Sequence, residues 1–168
     1  SAWADSSENS FNMVQATASE QPAYNSGAID FDASASQSLQ TPSDILLSGA
    51  FTIGLRLFPA LNNVIILGDN TINNEFFKIN TSTVLRFKTD SSQIEITLDS
   101  GSFLADLYLV ITRDASNLIT LYKNGVAQAD TETLAGTANI DAIGVRNPEN
   151  NPYDGTISEI QIFDTEST

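Results

Sequence analysis

The sequence predicts an all-β fold, a sandwich or a barrel of short strands, and three observations support this prediction. Short apolar runs recur along the chain with polar turns between them, and no window keeps the apolar period of a helix. Glycine, asparagine and aspartate interrupt these runs too often for long helices. The segment LITLYKNGVAQ, residues 118–128, places Asn124-Gly125 between two apolar runs. Asn-Gly suits the two positive-φ positions of a type I′ hairpin turn, so this segment predicts a hairpin.

The N-terminal 50 residues predict ordered loops with one or two edge strands. They are rich in Ser, Ala, Asn and Gln, a composition that also occurs in disordered arms. Short apolar islands at 11–14, 28–32 and 45–47 favour order. We therefore expect residues 1–50 to form a loop-rich segment that packs on the remainder of a single domain spanning residues 1–168.

The remaining strands follow from alternation and from breakers. Phe51, Ile53, Leu55 and Leu57 alternate with smaller or polar residues, which predicts a half-buried strand that Pro59 ends. Residues 107–112, within the run DLYLVITRD at 106–114, are apolar on both faces, which predicts a strand that is central or covered by a loop. Further strands are predicted at 64–67, 75–80, 84–88, 93–99, 118–123, 126–129, 140–145 and 156–163.

One predicted hairpin has a testable register. If residues 89–92 form a four-residue loop, Phe87 pairs with Ile94 and Leu85 pairs with Ile96. Arg86 then lies opposite Glu95 on the other face, so the charges match as well. A slip of one residue would reverse the faces of every side chain, so this register is strongly specified.

Composition excludes several classes of function. The chain has no Cys and no His, which removes disulfides, zinc sites built on those residues and catalytic triads that need imidazole. Seven basic residues against 21 acidic ones give a formal charge of −14, so we expect no nucleic-acid partner. No run of ~18 apolar residues occurs, so we expect no membrane insertion. The acidity indicates either solubility in a salty or extracellular setting or oxygen ligands for calcium.

Three phrases of the sequence resemble a known family. LYLVITRDASNLITLYKNGVAQAD (107–130) and IDAIGVRNPENNPYDGTISEIQIFD (140–164) are similar to the middle and closing phrases of laminin G-like domains. QATASEQPAYNSGAIDFD (15–32) resembles the first segment of bacterial and phage-encoded members. These domains belong to the concanavalin A-like lectin/glucanase superfamily. The resemblance implies a jelly roll of two packed antiparallel sheets, which agrees with the strand pattern.

The resemblance also directs attention to carboxylates. In glucanase relatives an Asp of the closing strand helps to hold calcium, but this chain has Ser158 at that position, and a hydroxyl is a poor calcium ligand. Glucanase relatives cleave with two acids on one strand. This chain has three acid pairs with comparable spacing: Asp30 with Asp32, Glu95 with Asp99 and Asp130 with Glu132. We interpret them as solvent-exposed acids on strands, because Asp and Glu face water unless they are paired. We therefore predict no enzymatic activity.

Two Asx-rich loops and one tryptophan are the candidate binding features. Trp3, the sole Trp, is either a lid on the sandwich or a ring for sugar stacking. Residues 147–155 form a loop between prolines that offers Asn150, Asn151 and Tyr153 as ligand-binding residues. With residues 68–75, this loop predicts a calcium site on Asp69, Asn70 and Asp154. The alternative is that these Asn and Asp residues only form turns.

The sequence therefore predicts a non-enzymatic, lectin-like module that binds a carbohydrate or another surface, with possible help from Ca²⁺. The alternative is a structural, decoration or adhesion domain of a phage virion or of a cell-surface protein. The expected partner is a glycan or another surface or virion protein, and the expected location is extracellular or on a virion surface. The sequence leaves the oligomeric state open.

Overall fold

The computed structural model describes residues 2–70, 74–90, 92–146 and 150–166, and strands dominate these ranges. Two 3₁₀ helices of three residues each, Ala18–Glu20 and Ala33–Ala35, are the helices of the described part. None of these described helices has the length and apolarity needed to cross a membrane. In chain order the strands are β1 Ala2–Trp3, β2 Met13–Val14, β3 Ala23–Asn25, β4 Ala28–Phe31, β5 Leu39–Leu47, β6 Phe51–Pro59, β7 Val64–Asp69, β8 Asn74–Ile79, β9 Val84–Lys88, β10 Gln93–Thr97, β11 Leu107–Arg113, β12 Leu118–Lys123, β13 Val126–Ala127, β14 Glu132–Thr133, β15 Ala138–Ile143 and β16 Gly155–Phe163.

The strands form two antiparallel sheets that pack face to face. Sheet I has the order β1-β2-β5-β15-β7-β8-β9-β10. Sheet II has the order β13-β12-β11-β6-β16-β4-β3, and β14 pairs with β12. Neighbours in these orders are often far apart in sequence, as expected for a jelly roll rather than a simple meander. This confirms the jelly-roll sandwich that the family resemblance implies, one of the two architectures that the strand pattern allows.

The core lies between the sheets and follows the alternation of the sequence. Phe51, Ile53, Leu55 and Leu57 of β6 are all buried. The Phe51 ring meets the Phe76 ring of sheet I edge-on, with 5.8 Å between centroids. Such aromatic pairs add to the free energy gained from burying their apolar area. The core therefore couples the two sheets at the centre of the sandwich.

Both sequence-predicted hairpins are confirmed. Phe87 pairs with Ile94, Leu85 with Ile96 and Arg86 with Glu95. In the second hairpin Lys123 pairs with Val126, and Asn124 and Gly125 have φ of 51° and 80°. Both central residues thus have positive φ, as a type I′ turn requires.

The N-terminal 50 residues contain more strand than predicted. Five strands, β1 to β5, lie there, and they contribute to both sheets. The nine-residue β5 was missed because Pro42 interrupts its apolar pattern. The structure accommodates Pro42 where the ladder with β15 is broken: pairing holds at Leu39–Gln40 and again at Ile45–Leu47, with none between. Proline in a strand needs such a gap, since it cannot donate a ladder hydrogen bond.

Arg113, at the end of β11, is fully buried and joins three parts of the chain. Its guanidinium donates hydrogen bonds to the carbonyls of Gly49 at 2.7 Å, Gly136 at 2.8 Å and Leu47 at 2.9 Å. It also lies over the Phe51 ring, 4.7 Å from the centroid. Burial lowers the pKa of Arg113, which remains a cation at any physiological pH. This network holds residues 47–49, which precede β6, and Gly136, which follows β14, against the end of β11.

Candidate functional site

A groove with a cavity volume of about 540 Å³ runs between the N-terminal segment and strand β16. One wall is formed by residues 3–13, and the other by residues 158–163 of β16. These two stretches are about as far apart in sequence as the chain allows. The groove is therefore a product of tertiary packing.

The N-terminal wall is held at both ends by strand pairing. Trp3 of β1 pairs with Met13 of β2, and Val14 pairs with Gln40 of β5, which attaches the segment to the edge of sheet I. Short strands of this kind are stable only when they join a larger sheet. The segment is therefore part of the fold.

Asp5 organises the loop between β1 and β2. Its carboxylate accepts hydrogen bonds from the Ser7 backbone N–H at 2.8 Å, the Ser7 hydroxyl at 2.8 Å and the Phe11 N–H at 2.9 Å. The hydrogen bond from the Ser7 backbone, followed by that from its hydroxyl, lowers the pKa of Asp5 below its ordinary value. The loop is thus ordered by its own side chains, and Asp5 is ionised at neutral pH.

The opposite wall is a strand edge. Strand β16 pairs with β6 along its length but with β4 only at Gly155, Thr156 and Ile157. A β-bulge follows between Ile157 and Glu159. Beyond the bulge, no strand among the described residues pairs with the β4 side of β16. Backbone N–H and C=O groups at an edge of this kind are available to a ligand.

The side chains in the groove are a mixture of aromatic and polar groups. Trp3 and Phe11 are half-buried, and Phe163 keeps about half of its surface exposed. Gln161 donates a hydrogen bond from Nε2 to Glu159 Oε1 at 2.6 Å, which orients both side chains. The groove thus brings aromatic surface and hydrogen-bonding groups together.

Trp3 separates this groove from a second, smaller cavity. The second cavity has a volume of about 180 Å³, and Trp3, Ser158 and the exposed Tyr24 are among its lining residues. Trp3 and Ser158 line both cavities. The indole also packs against the hydrophobic core, so Trp3 combines the packing of a lid with exposure to the groove.

Tyr153 does not lie where the sequence prediction placed it. Its side chain is fully buried, and its ring meets Phe31 edge-on with 5.6 Å between centroids. Its hydroxyl donates to the Thr156 carbonyl at 3.2 Å. Burial, and then the negative charge of Asp154, raises the pKa of Tyr153 well above its usual value. Tyr153 is a core residue and has no face free for a ligand, because the chain after its loop re-enters the sandwich at this point.

The neighbouring asparagines lie elsewhere. Asn150 is exposed, and residues 147–149 of the same loop lie outside the described residues. Asn151 has a φ of 53°, accepts a hydrogen bond at Oδ1 from Asn63 at 3.1 Å and accepts the Ile65 N–H at its carbonyl. Asn151 therefore joins the loop to the start of β7, as expected of a turn residue.

The structure separates Asp154 from the other two predicted metal ligands, Asp69 and Asn70. Asp69 ends β7, and the backbone N–H of Asn70 donates to a carboxylate oxygen of Asp141. Asp154 instead accepts the Ala60 N–H at its carbonyl and the Ala33 N–H at Oδ2. Ala60, and with it Asp154, lies near the start of β7, whereas Asp69 lies at the end of that strand. At ~3.3 Å per residue, the start and the end of β7 are about 16 Å apart. One ion cannot contact all three residues.

Asp141 is the neighbour of Asp69 that sequence reasoning missed. Burial, and then the charges of Asp69 and Asp44, raises the pKa of Asp141, while the hydrogen bond from Asn70 opposes this shift. Within the described ranges, no group of three or more Asp or Glu side chains has the geometry of a metal site. Asp141 lies at a β-bulge between β15 and β5, and no local pattern in the sequence predicts this bulge.

Comparisons with known proteins agree with this architecture. The family profile Laminin_G_3, described as the concanavalin A-like lectin/glucanases superfamily, matches residues 32–168. No curated protein matches the chain.

Several solved structures share the fold. Domain 4 of AbnA, a GH43 extracellular arabinanase from Geobacillus stearothermophilus, in complex with arabinotriose, aligns with a TM-score of 0.66 and 17% identity over 88% of this chain and 77% of that one. The binding domain of Paraclostridial Mosquitocidal Protein 1 aligns at 0.66 and 16%, over 98% of this chain and 47% of that one, so this chain spans less than half of it. A heptameric SAP-like pentraxin from Limulus polyphemus aligns at 0.59 and 15%, over 78% and 71%.

At these identities the solved structures establish the fold alone, whereas the family profile covers most of the chain. Two of the three phrases that resemble the family, residues 107–130 and 140–164, lie within the matched range, in strands β11 to β16 of the sandwich, whereas residues 15–31 precede it. This chain belongs to the concanavalin A-like lectin/glucanases superfamily.

Proposed function

We propose that this chain is a non-enzymatic glycan-binding module that acts outside the cell, and that the groove beside Trp3 is its binding site. The observation that carries the proposal is the groove itself. It combines an indole ring with carboxamide and carboxylate groups at an unpaired strand edge. It is also a large concave site, which is where ligands usually bind.

The chemistry of the groove suits a sugar. A sugar ring has apolar C–H faces and a rim of hydroxyl groups, so it needs an aromatic surface and several donors and acceptors. Trp3 and Phe11 provide aromatic surface. The Glu159–Gln161 pair and the free edge of β16 provide hydrogen-bonding groups. The acidic side chains Asp5 and Glu159 favour a neutral or cationic ligand over an anionic one.

Two comparisons support carbohydrate as the ligand class. The arabinanase domain was solved with arabinotriose, which makes arabino-oligosaccharides a reasonable first probe. The superfamily description names lectins and glucanases, both of which act on carbohydrate. An extracellular location agrees with the ligand class and with the formal charge of −14.

The acids of the groove and of the acid pairs support binding without catalysis, and Asp141, whose pKa is raised, lies outside the groove. A glycosidase needs one acid that stays protonated near neutral pH, which requires a raised pKa. The groove residue Asp5 has a lowered pKa instead. Among the pairs considered from the sequence, Asp99 accepts the Ala129 N–H and Asp130 accepts the Thr97 N–H. Glu95 forms an ion pair with Arg86 at 3.2 Å. These acids hold loops and strands in place.

Trp3 allows a direct test, since it is the only tryptophan of the chain. Its fluorescence should change on titration with the correct oligosaccharide, because the indole lines the groove. Arabino-, xylo- and gluco-oligosaccharides are suitable probes, each measured in calcium and in chelator. Trp3→Phe should weaken binding about tenfold, as expected when a large aromatic contact is reduced. Binding to that variant requires calorimetry, because its tryptophan signal is lost.

A matched control is Phe58→Ala, which removes an exposed aromatic residue outside the groove. It should leave the affinity unchanged. Equal affinity of wild type and Trp3→Phe would place the site elsewhere. Failure of every glycan to bind would favour the alternative that this is a structural, decoration or adhesion domain of a virion or cell-surface protein.

A further inference from the structure

The outer face of sheet II, on the side away from the core, continues the surface of the groove. Strand register aligns Tyr122, Val110, Gly54 and Gln161 across β12, β11, β6 and β16. The adjacent row holds Tyr108, Arg56 and Glu159. Glu159 and Gln161 also line the groove, so groove and outer face meet at β16.

Gly54 allows Tyr108 to lie low on this face. A Cβ placed at Gly54 would be 3.2 Å from the Tyr108 hydroxyl and 3.4 Å from Gln161 Oε1. The hydroxyl end of Tyr108, which belongs to the neighbouring strand, therefore lies just above the sheet at Gly54. The side chain extends along the sheet rather than away from it. Tyr108 still keeps 38% of its surface exposed, so ring surface is open to solvent.

Polar groups surround this aromatic surface. Arg56 and Asp106 form a long ion pair of 4.0 Å, with 60% and 71% of their side chains exposed. Such exposed pairs are weak, so both groups can turn to hydroxyl groups of a ligand. Gln161 lies between Tyr108 and the groove, with its Cβ 3.6 Å from the Cβ position at Gly54.

We propose that Tyr108 is a second stacking platform, so that the ligand of this chain is an oligosaccharide that crosses β16 from the groove to β11. This inference rests on the proposed function. The distance from β16 to β11 is two strand spacings, about 9.6 Å. A single sugar ring bound at Trp3 does not span this distance. The chain therefore recognises more than one sugar ring of a glycan, and affinity increases with glycan length.

A length series tests the proposal. The probes are arabino-, xylo- and gluco-oligosaccharides from monosaccharide to hexasaccharide, followed by Trp3 fluorescence. Wild type should bind the hexasaccharide of the preferred series at least tenfold more tightly than its disaccharide. Tyr108→Ala should remove about tenfold of the affinity for the hexasaccharide and less than twofold for the disaccharide.

Gly54→Ala is a second variant, and it removes no side chain of the platform. The closest contacts of the added Cβ are with the ends of two side chains, so the fold tolerates it, but the Tyr108 hydroxyl must move away from the sheet to relieve the 3.2 Å contact. Affinity for the hexasaccharide should fall about threefold, with no change for the disaccharide. Phe58→Ala, an exposed aromatic residue in the same strand and on the same face, should have no effect on either.

The outcomes separate the two proposals. Wild-type binding that does not depend on glycan length, or equal losses for both lengths in Tyr108→Ala, overturns the platform and leaves the groove intact. Equal hexasaccharide affinity in wild type, Tyr108→Ala and Gly54→Ala also overturns the proposal that Tyr108 is a stacking platform. Absence of any fluorescence change and of any calorimetric signal in wild type overturns the proposed function and the platform together.

Discussion

Replacing Arg113 by Met tests the buried network at the end of β11. The guanidinium donates to three carbonyls at 2.7–2.9 Å, from Leu47 and Gly49 on one side and Gly136 on the other. Methionine fills part of the volume but donates nothing. The carbonyls of Leu47 and of Leu134, which accepts a fourth hydrogen bond from Arg113 at 3.4 Å, then remain buried without their donor, whereas water can reach those of Gly49 and Gly136.

The magnitude follows from these contacts. Each buried carbonyl left without a donor costs ~1–3 kcal/mol, and the lost contact with the Phe51 ring adds up to ~2 kcal/mol. Removing a desolvated cation offsets several kcal/mol of this cost. We expect a net loss of about 3 kcal/mol in the free energy of unfolding. A chain of this size then melts ~6–12 °C lower, at ~2–4 °C per kcal/mol.

Thermal unfolding followed by circular dichroism measures the change. Arg56→Met is the matched control, since it removes the same charge from a side chain that is 60% exposed, and it should shift the melting temperature by less than about 2 °C. Arg113→Lys should recover less than half of the loss, because one ammonium nitrogen cannot reach carbonyls on both sides. An Arg113→Met melting temperature within 2 °C of wild type would refute the reasoning.

Three further predictions concern stability. Asn124→Pro should lower the melting temperature by several degrees, because Asn124 has a φ of 51° and proline fixes φ near −65°; an unchanged melting temperature would mean that the turn adapts. Asp141→Asn should stabilise the protein at pH 7 and not at pH 3. The pKa of Asp141 is raised in the folded state, so wild type loses stability as the pH rises above 3.8, the ordinary pKa of an aspartate, and asparagine carries no such charge. A gain of equal size at both pH values would contradict this. The sequence predicts calcium on Asp69, Asn70 and Asp154 together; because Asp154 lies at the other end of β7, we expect an ion at Asp69 and Asn70 alone, which should raise the melting temperature relative to chelator and should still do so in Asp154→Ala. Equal melting in calcium and chelator would reject the site.

The sequence by itself determined the local features of this protein. Alternation placed Phe51, Ile53, Leu55 and Leu57 on the core face, because side chains of a strand alternate between its two faces. The hairpin at 89–92 was predicted in its correct register, and the turn at Asn124-Gly125 in its correct conformation. These features depend on residues that are near one another in the chain, so a pattern in the sequence is sufficient.

Only the tertiary structure decided where the candidate site lies. The groove joins residues 3–13 to residues 158–163, and its β1 and β2 strands have two residues each, too few to show a period. Tyr153 and Asp69 both looked like loop residues, but the path of the chain buried the first and placed the second next to Asp141. Burial and long-range neighbours result from packing between distant segments, which composition and spacing do not encode.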